Sequence, residues 1–255
     1  MLITRSIDQS ASFAAALSAL GAEVVAIPTI TIVPPPNEDV IRDAIAEIDS
    51  FSWIVLTSVN AVDRFCDYMR EAGAGDVPAA VGVAVVGPAT AAALAAHNVA
   101  PSLIPADYRA EGLIEEFDRI GPPAAGERVL FPRALKAREI LPDHLRALGY
   151  EVLVAPVYET VPATFSPEQI GQLHAGVDGI AFTSPSTARN FFSGCTAAGI
   201  GPREWLAETA VFSIGPVTTD ALLDLGLDRD HIIEAASSTT QDMVRAVRDH
   251  LSQQA

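Results

Sequence analysis

A duplication constrains this chain more than any single motif. Residues 128–162, RVLFPRALKAREILPDHLRALGYEVLVAPVYETVP, repeat the start, LITRSIDQSASFAAALSALGAEVVAIPTITIVP, at a constant offset of 128 positions. Arg5 falls on Arg133, Leu17 on Leu145, Gly21 on Gly149, Glu23 on Glu151 and Pro28 on Pro156. Each copy predicts a buried strand, a turn carrying arginine, an amphipathic helix closed by glycine, and a second strand ending at proline. The second copy adds Lys136, Arg138 and, where the first has Ile30, a tyrosine, Tyr158.

The duplication runs on. Trp53 to Phe65 recurs as Gly179 to Phe191, with Thr57 on Thr183 and Ser58 on Ser184. Val83 to Leu94 recurs as Val211 to Leu222, with Gly87 on Gly215 and Thr90 on Thr218. The stretch from Ile104 corresponds loosely to that from Glu234. A strand–helix array of about 125 residues, written twice, is too long a period for a solenoid and predicts two doubly wound lobes. Strands alternating with helices imply parallel sheets covered on both faces. The segment Thr31-Ile-Val-Pro-Pro-Pro-Asn reads as an extended crossing between lobes, since three prolines suit neither a helix nor a central strand. Tyr158-Glu-Thr-Val-Pro lies at the matching position. Two matched crossings predict a hinge with a cleft.

At 255 residues with 49% apolar side chains, the chain can bury two cores. No apolar run of ~18 residues offers a membrane span, and MLITRSIDQS reads as strand and turn, not as a signal peptide. Cys66 and Cys195 are the only cysteines, both in apolar helical contexts, which predicts no disulfide framework and a cytoplasmic setting. The net charge of −16 opposes nucleic acid and anionic membrane as partners. A polyanionic small molecule would need local backbone amides and a few arginines.

In open parallel sheets, ligands bind beyond the carboxyl ends of the strands, where helix N-termini point. The turns there are Thr4-Arg-Ser, Thr57-Ser-Val-Asn, Gly87-Pro-Ala-Thr, Pro132-Arg-Ala-Leu-Lys, Thr183-Ser-Pro-Ser and Gly215-Pro-Val-Thr. Each hydroxyl is either a simple helix cap or an anion contact beside unpaired backbone N–H groups. Gly73-Ala-Gly75 and Gly199-Ile-Gly201 follow helices and read as C-caps, not as a dinucleotide fingerprint. No phosphate-binding loop, nucleophile elbow or metal-ligand spacing is present, and the five histidines read as surface residues. Tyr158, at an expected strand end, is either a proton donor, a phenol being mostly protonated at neutral pH, or a tyrosine packed at a junction with a wet hydroxyl.

These pieces, in this order, resemble uroporphyrinogen-III synthases over essentially the whole chain. The matching residues are Leu2-Ile-Thr-Arg, Leu56-Thr-Ser-Val-Asn-Ala-Val, Val86-Gly-Pro-Ala-Thr-Ala, Arg138-Glu-Ile-Leu-Pro, Pro156-Val-Tyr-Glu-Thr, Phe182-Thr-Ser-Pro-Ser and Ile214-Gly-Pro-Val-Thr-Thr. The resemblance implies two α/β lobes, one of residues 1–30 with 163–255 and the other of 37–157, with 31–36 and 158–162 as hinge strands. The repeat alone would divide the chain near 125. The resemblance also implies the substrate: hydroxymethylbilane, a linear tetrapyrrole octacarboxylate, closed to the macrocycle with inversion of the last ring and loss of water. No metal or organic cofactor is implied.

It further implies that Tyr158 protonates the leaving hydroxyl, and that Thr90, Thr218, Ser58, Ser184 and Ser186 line the substrate site. Asn60, like Arg5 an expected substrate contact, stands where many relatives carry a cation; Arg133 and Arg138 are expected to compensate, Arg138 being equally readable as a surface residue at the helix start. A monomer that receives its unstable substrate by transient contact with the preceding enzyme fits this reading. The competing readings are a non-catalytic tetrapyrrole or small-anion binder and a regulatory module, the latter lacking any basic DNA-binding extension.

Overall fold

The computed structural model describes residues 1–5 and 10–254. Gln9, expected to open the first helix, lies outside the described residues. In chain order the elements are β1 (Leu2–Ile3), α1 (Ala11–Ala19), β2 (Val25–Ala26), β3 (Ile30–Val33), α2 (Asp39–Ala46), β4 (Trp53–Leu56), α3 (Val59–Glu71), β5 (Gly82–Val85), α4 (Pro88–Ala96) and α5 (Ala110–Ile120). There follow β6 (Arg128–Ala134), α6 (Ile140–Leu148), β7 (Glu151–Pro162), α7 (Pro167–Ala175), β8 (Gly179–Phe182) and α8 (Pro185–Ala197). The last are α9 (Pro202–Ala207), β9 (Ala210–Ser213), α10 (Pro216–Asp224), β10 (Ile232–Glu234) and α11 (Thr240–Gln254).

Two compact units result: Met1–Thr31 with Val161–Ala255, and Ile32–Thr160. The first holds a sheet ordered β10-β9-β8-β1-β2, the second a sheet ordered β3-β7-β6-β4-β5. Superposed on the repeat, the orders agree, with β5, β4, β6 and β7 standing for β9, β8, β1 and β2. Leu103, bridged to Ala84, stands where β10 runs beside β9. The first strand–helix–strand of each copy joins the sheet made from the rest of the other copy. Leu2 of β1 pairs with Ile180 of β8, and Val129 of β6 with Trp53 of β4. Dividing the chain near 125 would separate these partners.

Both sheets are covered on two faces, which is why their strands are apolar throughout instead of alternating. In the second unit Ile54 and Leu56 face a core with Phe65 and Leu94, while Val55 faces another with Phe117 and Leu145. In the first, Ile180 and Phe182 join Phe191 and Leu222, while Ala181 packs with Leu17 and Met243. Each unit is therefore a doubly wound α/β layer structure. Gly21 and Gly149 end α1 and α6 at φ of 86° and 109°, a conformation glycine adopts without a Cβ penalty.

Prolines and glycines misled the sequence reading in three places. Pro156 does not end its strand, because β7 runs for 12 residues through it. Arg133 pairs with Pro156 but Ala134 with Tyr158, so the strand bulges at Val157, and a bulge absorbs the missing N–H. Pro132 and Arg133 likewise belong to β6 and not to the turn beyond it, as the buried run from Val129 to Arg133 carries the strand onward. Gly199 (φ 75°) caps α8, but Gly201, at φ −70°, is the N-cap of α9. The crossing at Thr31 is itself strand until Val33, with the three prolines just outside it. No described helix is long and apolar enough to cross a membrane.

Candidate active site

A doubly wound sheet has one place where successive helices leave for opposite faces, and ligands bind beyond the strand ends there. In the second unit that place is between β4 and β6. Ala61 and Phe65 of α3 pack on one face and Leu141 and Leu145 of α6 on the other. The turns that part there carry Ser58 on one side and Lys136 and Arg138 on the other.

Ser58 is the N-cap of α3, its Oγ accepting from the Ala61 N–H at 3.1 Å. That satisfies one of the helix's orphan donors. The same Oγ lies 3.2 Å from the Tyr158 phenol oxygen. Tyr158 directly follows the bulge in β7 and is itself buried in the core with Val157 and Leu56. Its hydroxyl is thus paired with the cap, and the residue sits inside the strand, four positions before its end. With one Ser58 lone pair occupied by Ala61, the serine proton is available to the phenol oxygen.

The arginines divide. Arg133 is only 6% exposed; its Nη1 donates to the Arg138 carbonyl at 3.0 Å and its Nη2 to the Glu139 carboxylate, while Nε is buried without a partner. It holds the β6–α6 turn from behind. Arg138 is exposed and donates Nη1 to Glu111 Oε1 at 3.0 Å. Arg5, the repeat mate of Arg133, is exposed in its turn in the first unit. Asn60 is half-buried in the first turn of α3.

Thr90 and Thr218 occupy the third positions of α4 and α10, both buried. In the first unit Ser184 caps α8, accepting from the Thr187 N–H at 3.3 Å, and its Oγ lies 3.0 Å from that of exposed Ser186. Both serines therefore cap, and Ser58 also meets a phenol. The thiols stand apart. Burial pushes Cys66 up to about 11 and Cys195 up to about 12, so neither is a nucleophile near neutral pH.

Sequence reasoning missed one part. A pocket of about 370 Å³ opens at the same strand ends, lined by Thr57, Val86, Tyr108, Phe131, Arg138 and Ile140 among others. Tyr108 precedes α5 in a loop without hydrophobic period, so nothing local marked it. Its only sequence signal was the loose match to Ser238 in the other copy.

A family model described as uroporphyrinogen-III synthase HemD matches residues 11–245. The uroporphyrinogen-III synthase of Synechococcus elongatus is 36% identical, with 97% of this chain and 93% of that protein covered. That of Chlorobaculum parvum is 30% identical, with 92% of each covered. Among solved structures, the Helicobacter pylori uroporphyrinogen-III synthetase matches with a TM-score of 0.57 at 18% identity, covering 91% of this chain and 94% of that one. A mutant Thermus thermophilus uroporphyrinogen III synthase matches with 0.55 at 20%, covering 99% and 98%. At those identities the structures speak to the fold alone, and the fold they share is the two-unit α/β arrangement seen here. With sequence matches spanning nearly all of both chains, this chain belongs to the uroporphyrinogen-III synthase family.

Proposed function

We infer that the chain closes hydroxymethylbilane to uroporphyrinogen III, and that Tyr158 is the proton donor. The observation that carries the assignment of Tyr158 is its hydroxyl pairing with Ser58 at the strand ends of the second unit. When the hydroxyl of the hydroxymethyl group leaves, the C–O bond breaks with the electron pair on oxygen, and a proton must arrive for water to depart while the methylene stays on the ring. The phenol supplies that proton. Charge left on the phenol oxygen is met by the Ser58 hydroxyl and by the positive end of α3. The azafulvene left behind is then attacked by the substituted carbon of the last ring, giving a spiro intermediate. That carbon's bond to its original bridge breaks, the azafulvene so released is attacked by the ring's free α-carbon, and loss of that carbon's proton completes the inverted macrocycle.

The open chain also closes unaided to the uninverted isomer, so the protein's main contribution is to set the geometry of attack. Eight carboxylates must be held by a chain of net charge −16. Helix N-termini and their capping hydroxyls do this without a basic surface, at Ser58, Asn60 and Thr90 in the second unit; the matching turns of the first unit carry the same groups at Ser184, Ser186 and Thr218. Arg138 and Arg5 add exposed cations, while buried Arg133 acts through the turn it fastens. The same reading makes the protein a cytoplasmic monomer that receives substrate from the preceding enzyme; gel filtration alone and with that enzyme checks both points. The functional test is isomer analysis of porphyrin formed from hydroxymethylbilane: the type III isomer supports synthase activity, and type I at the background rate overturns it.

A further inference from the structure

The pocket beside Tyr108 has a floor, a wall and a rim of different chemistry. Phe131 and Leu141, both buried, form apolar floor, and Ile140 is 45% exposed above them. Tyr108 is 60% exposed, yet it is not a loose side chain. It packs so close on Gly87 that a Cβ at 87 would lie 3.0 Å from its own Cβ. A side chain at 87 would require the tyrosine to give by a few tenths of an ångström, so glycine there lets the ring pack directly against the start of α4. In the other unit the same close approach, at Gly215, is made by Ser238, so the aromatic wall exists in one copy only.

Two guanidinium groups stand at the rim. Arg109 is held by Asp107, its Nε 3.0 Å from both carboxylate oxygens, and Arg138 by Glu111. The Arg138 backbone is fastened in turn by Arg133. Both rim arginines are more than half exposed, and each keeps N–H groups beyond those its acid takes. The acids orient the cations and lower the local net charge to about zero, so the rim favours an anion that can share an arginine fork over a multiply charged ion.

Resting on the functional reading above, we propose that this pocket is the subsite for one carboxylated pyrrole ring of the substrate. The ring lies against Tyr108 over the apolar floor, and its side-arm carboxylate is taken by Arg138 and Arg109. Aromatic stacking and a forked charge-assisted hydrogen bond are the contacts such a ring offers. Tyr108, Arg109 and Arg138 are then binding residues, separate from the Tyr158 proton transfer.

Two measurements test this. The first titrates a monopyrrole bearing one acetate and one propionate arm, observed through the backbone amide NMR signals. Shifts confined to residues 107–111 and 137–141, abolished by Tyr108→Ala, support the subsite; their absence overturns it. The second measures steady-state kinetics with hydroxymethylbilane for Tyr108→Ala, Arg138→Gln and, as a control on the far end of α5, Arg119→Gln. Removing one such contact should raise KM roughly tenfold with kcat within twofold, leaving the control at the wild-type value. Wild-type product of type III with an unchanged KM in both pocket variants overturns the subsite alone. Type I product at background rate from the wild type overturns the functional reading instead, and the monopyrrole titration then decides the subsite by itself.

Discussion

Tyr158 and Ser58, 100 positions apart in sequence, meet hydroxyl to hydroxyl at 3.2 Å, the phenol of a bulged strand resting on the serine that caps α3. The serine therefore has two separable roles, and a comparison of caps separates them. Ser166 caps α7 in the same way, accepting from the Gln169 N–H at 3.2 Å, with no tyrosine nearby in its hydrogen bonds. Ser58→Ala and Ser166→Ala should each cost about 1 kcal/mol in denaturant unfolding. Only Ser58→Ala should lower kcat, by about tenfold. Equal kcat in the two variants would leave Ser58 a cap and nothing more.

Arg133 is the fastening of the β6–α6 turn. Arg133→Lys keeps the charge but loses the fork that reaches both the Arg138 carbonyl and Glu139. Hydrogen exchange at the amides of residues 135–139 should quicken, stability should fall by about 1–2 kcal/mol, and KM should rise because Arg138 is released. Unchanged exchange in that turn would show that it is held by something else.

The exchanged strands make a prediction about fragments. Residues 32–160 contain β4, β5, β6 and most of β7 with both of their apolar faces, so this fragment should fold on its own, with dispersed amide NMR signals. Residues 1–125 lack β6 and β8, the strands that pair with β4 and β1, and should show no cooperative unfolding. A folded 1–125 fragment would contradict the strand exchange.

The thiols give a pH test. With Cys66 raised to about 11 by burial, its thiolate fraction at pH 8 should be roughly a hundredfold below that of a thiol with the ordinary value near 9. Alkylation by iodoacetamide should be correspondingly slow and should speed up tenfold per pH unit up to about 11. Cys66→Ser should leave kcat unchanged. Rapid labelling at pH 7 would show that burial does not hold the Cys66 thiol protonated.

Much of this was legible in the residues themselves. The duplication carries two matched strand–helix arrays but not the exchange of strands between them, which only the family resemblance implied, and Gly21 and Gly149 read correctly because a left-handed helix end is a local property. What stayed hidden is what depends on pairing at a distance. The bulge that lets β7 pass Pro156 exists only in register with β6. Arg133 looks like a turn cation until β6 is seen to extend past it into the core. Tyr108 acquires a role only because Gly87, 21 positions earlier, leaves room for its ring. Even the hydroxyl turns, recognisable as caps, did not show which of them would meet a phenol.

One measurement addresses synthase chemistry initiated by Tyr158 directly. Hydroxymethylbilane is presented to wild type and to Tyr158→Phe in a single-turnover experiment, with the products oxidised and separated as type I and type III porphyrins. The wild type should give type III. Tyr158→Phe should form type III at least a hundredfold more slowly, so that type I from spontaneous closure dominates, with the fold intact by circular dichroism. Type III formed by Tyr158→Phe at the wild-type rate would contradict the assignment of the proton donor, and type I alone from the wild type would contradict the claim as a whole.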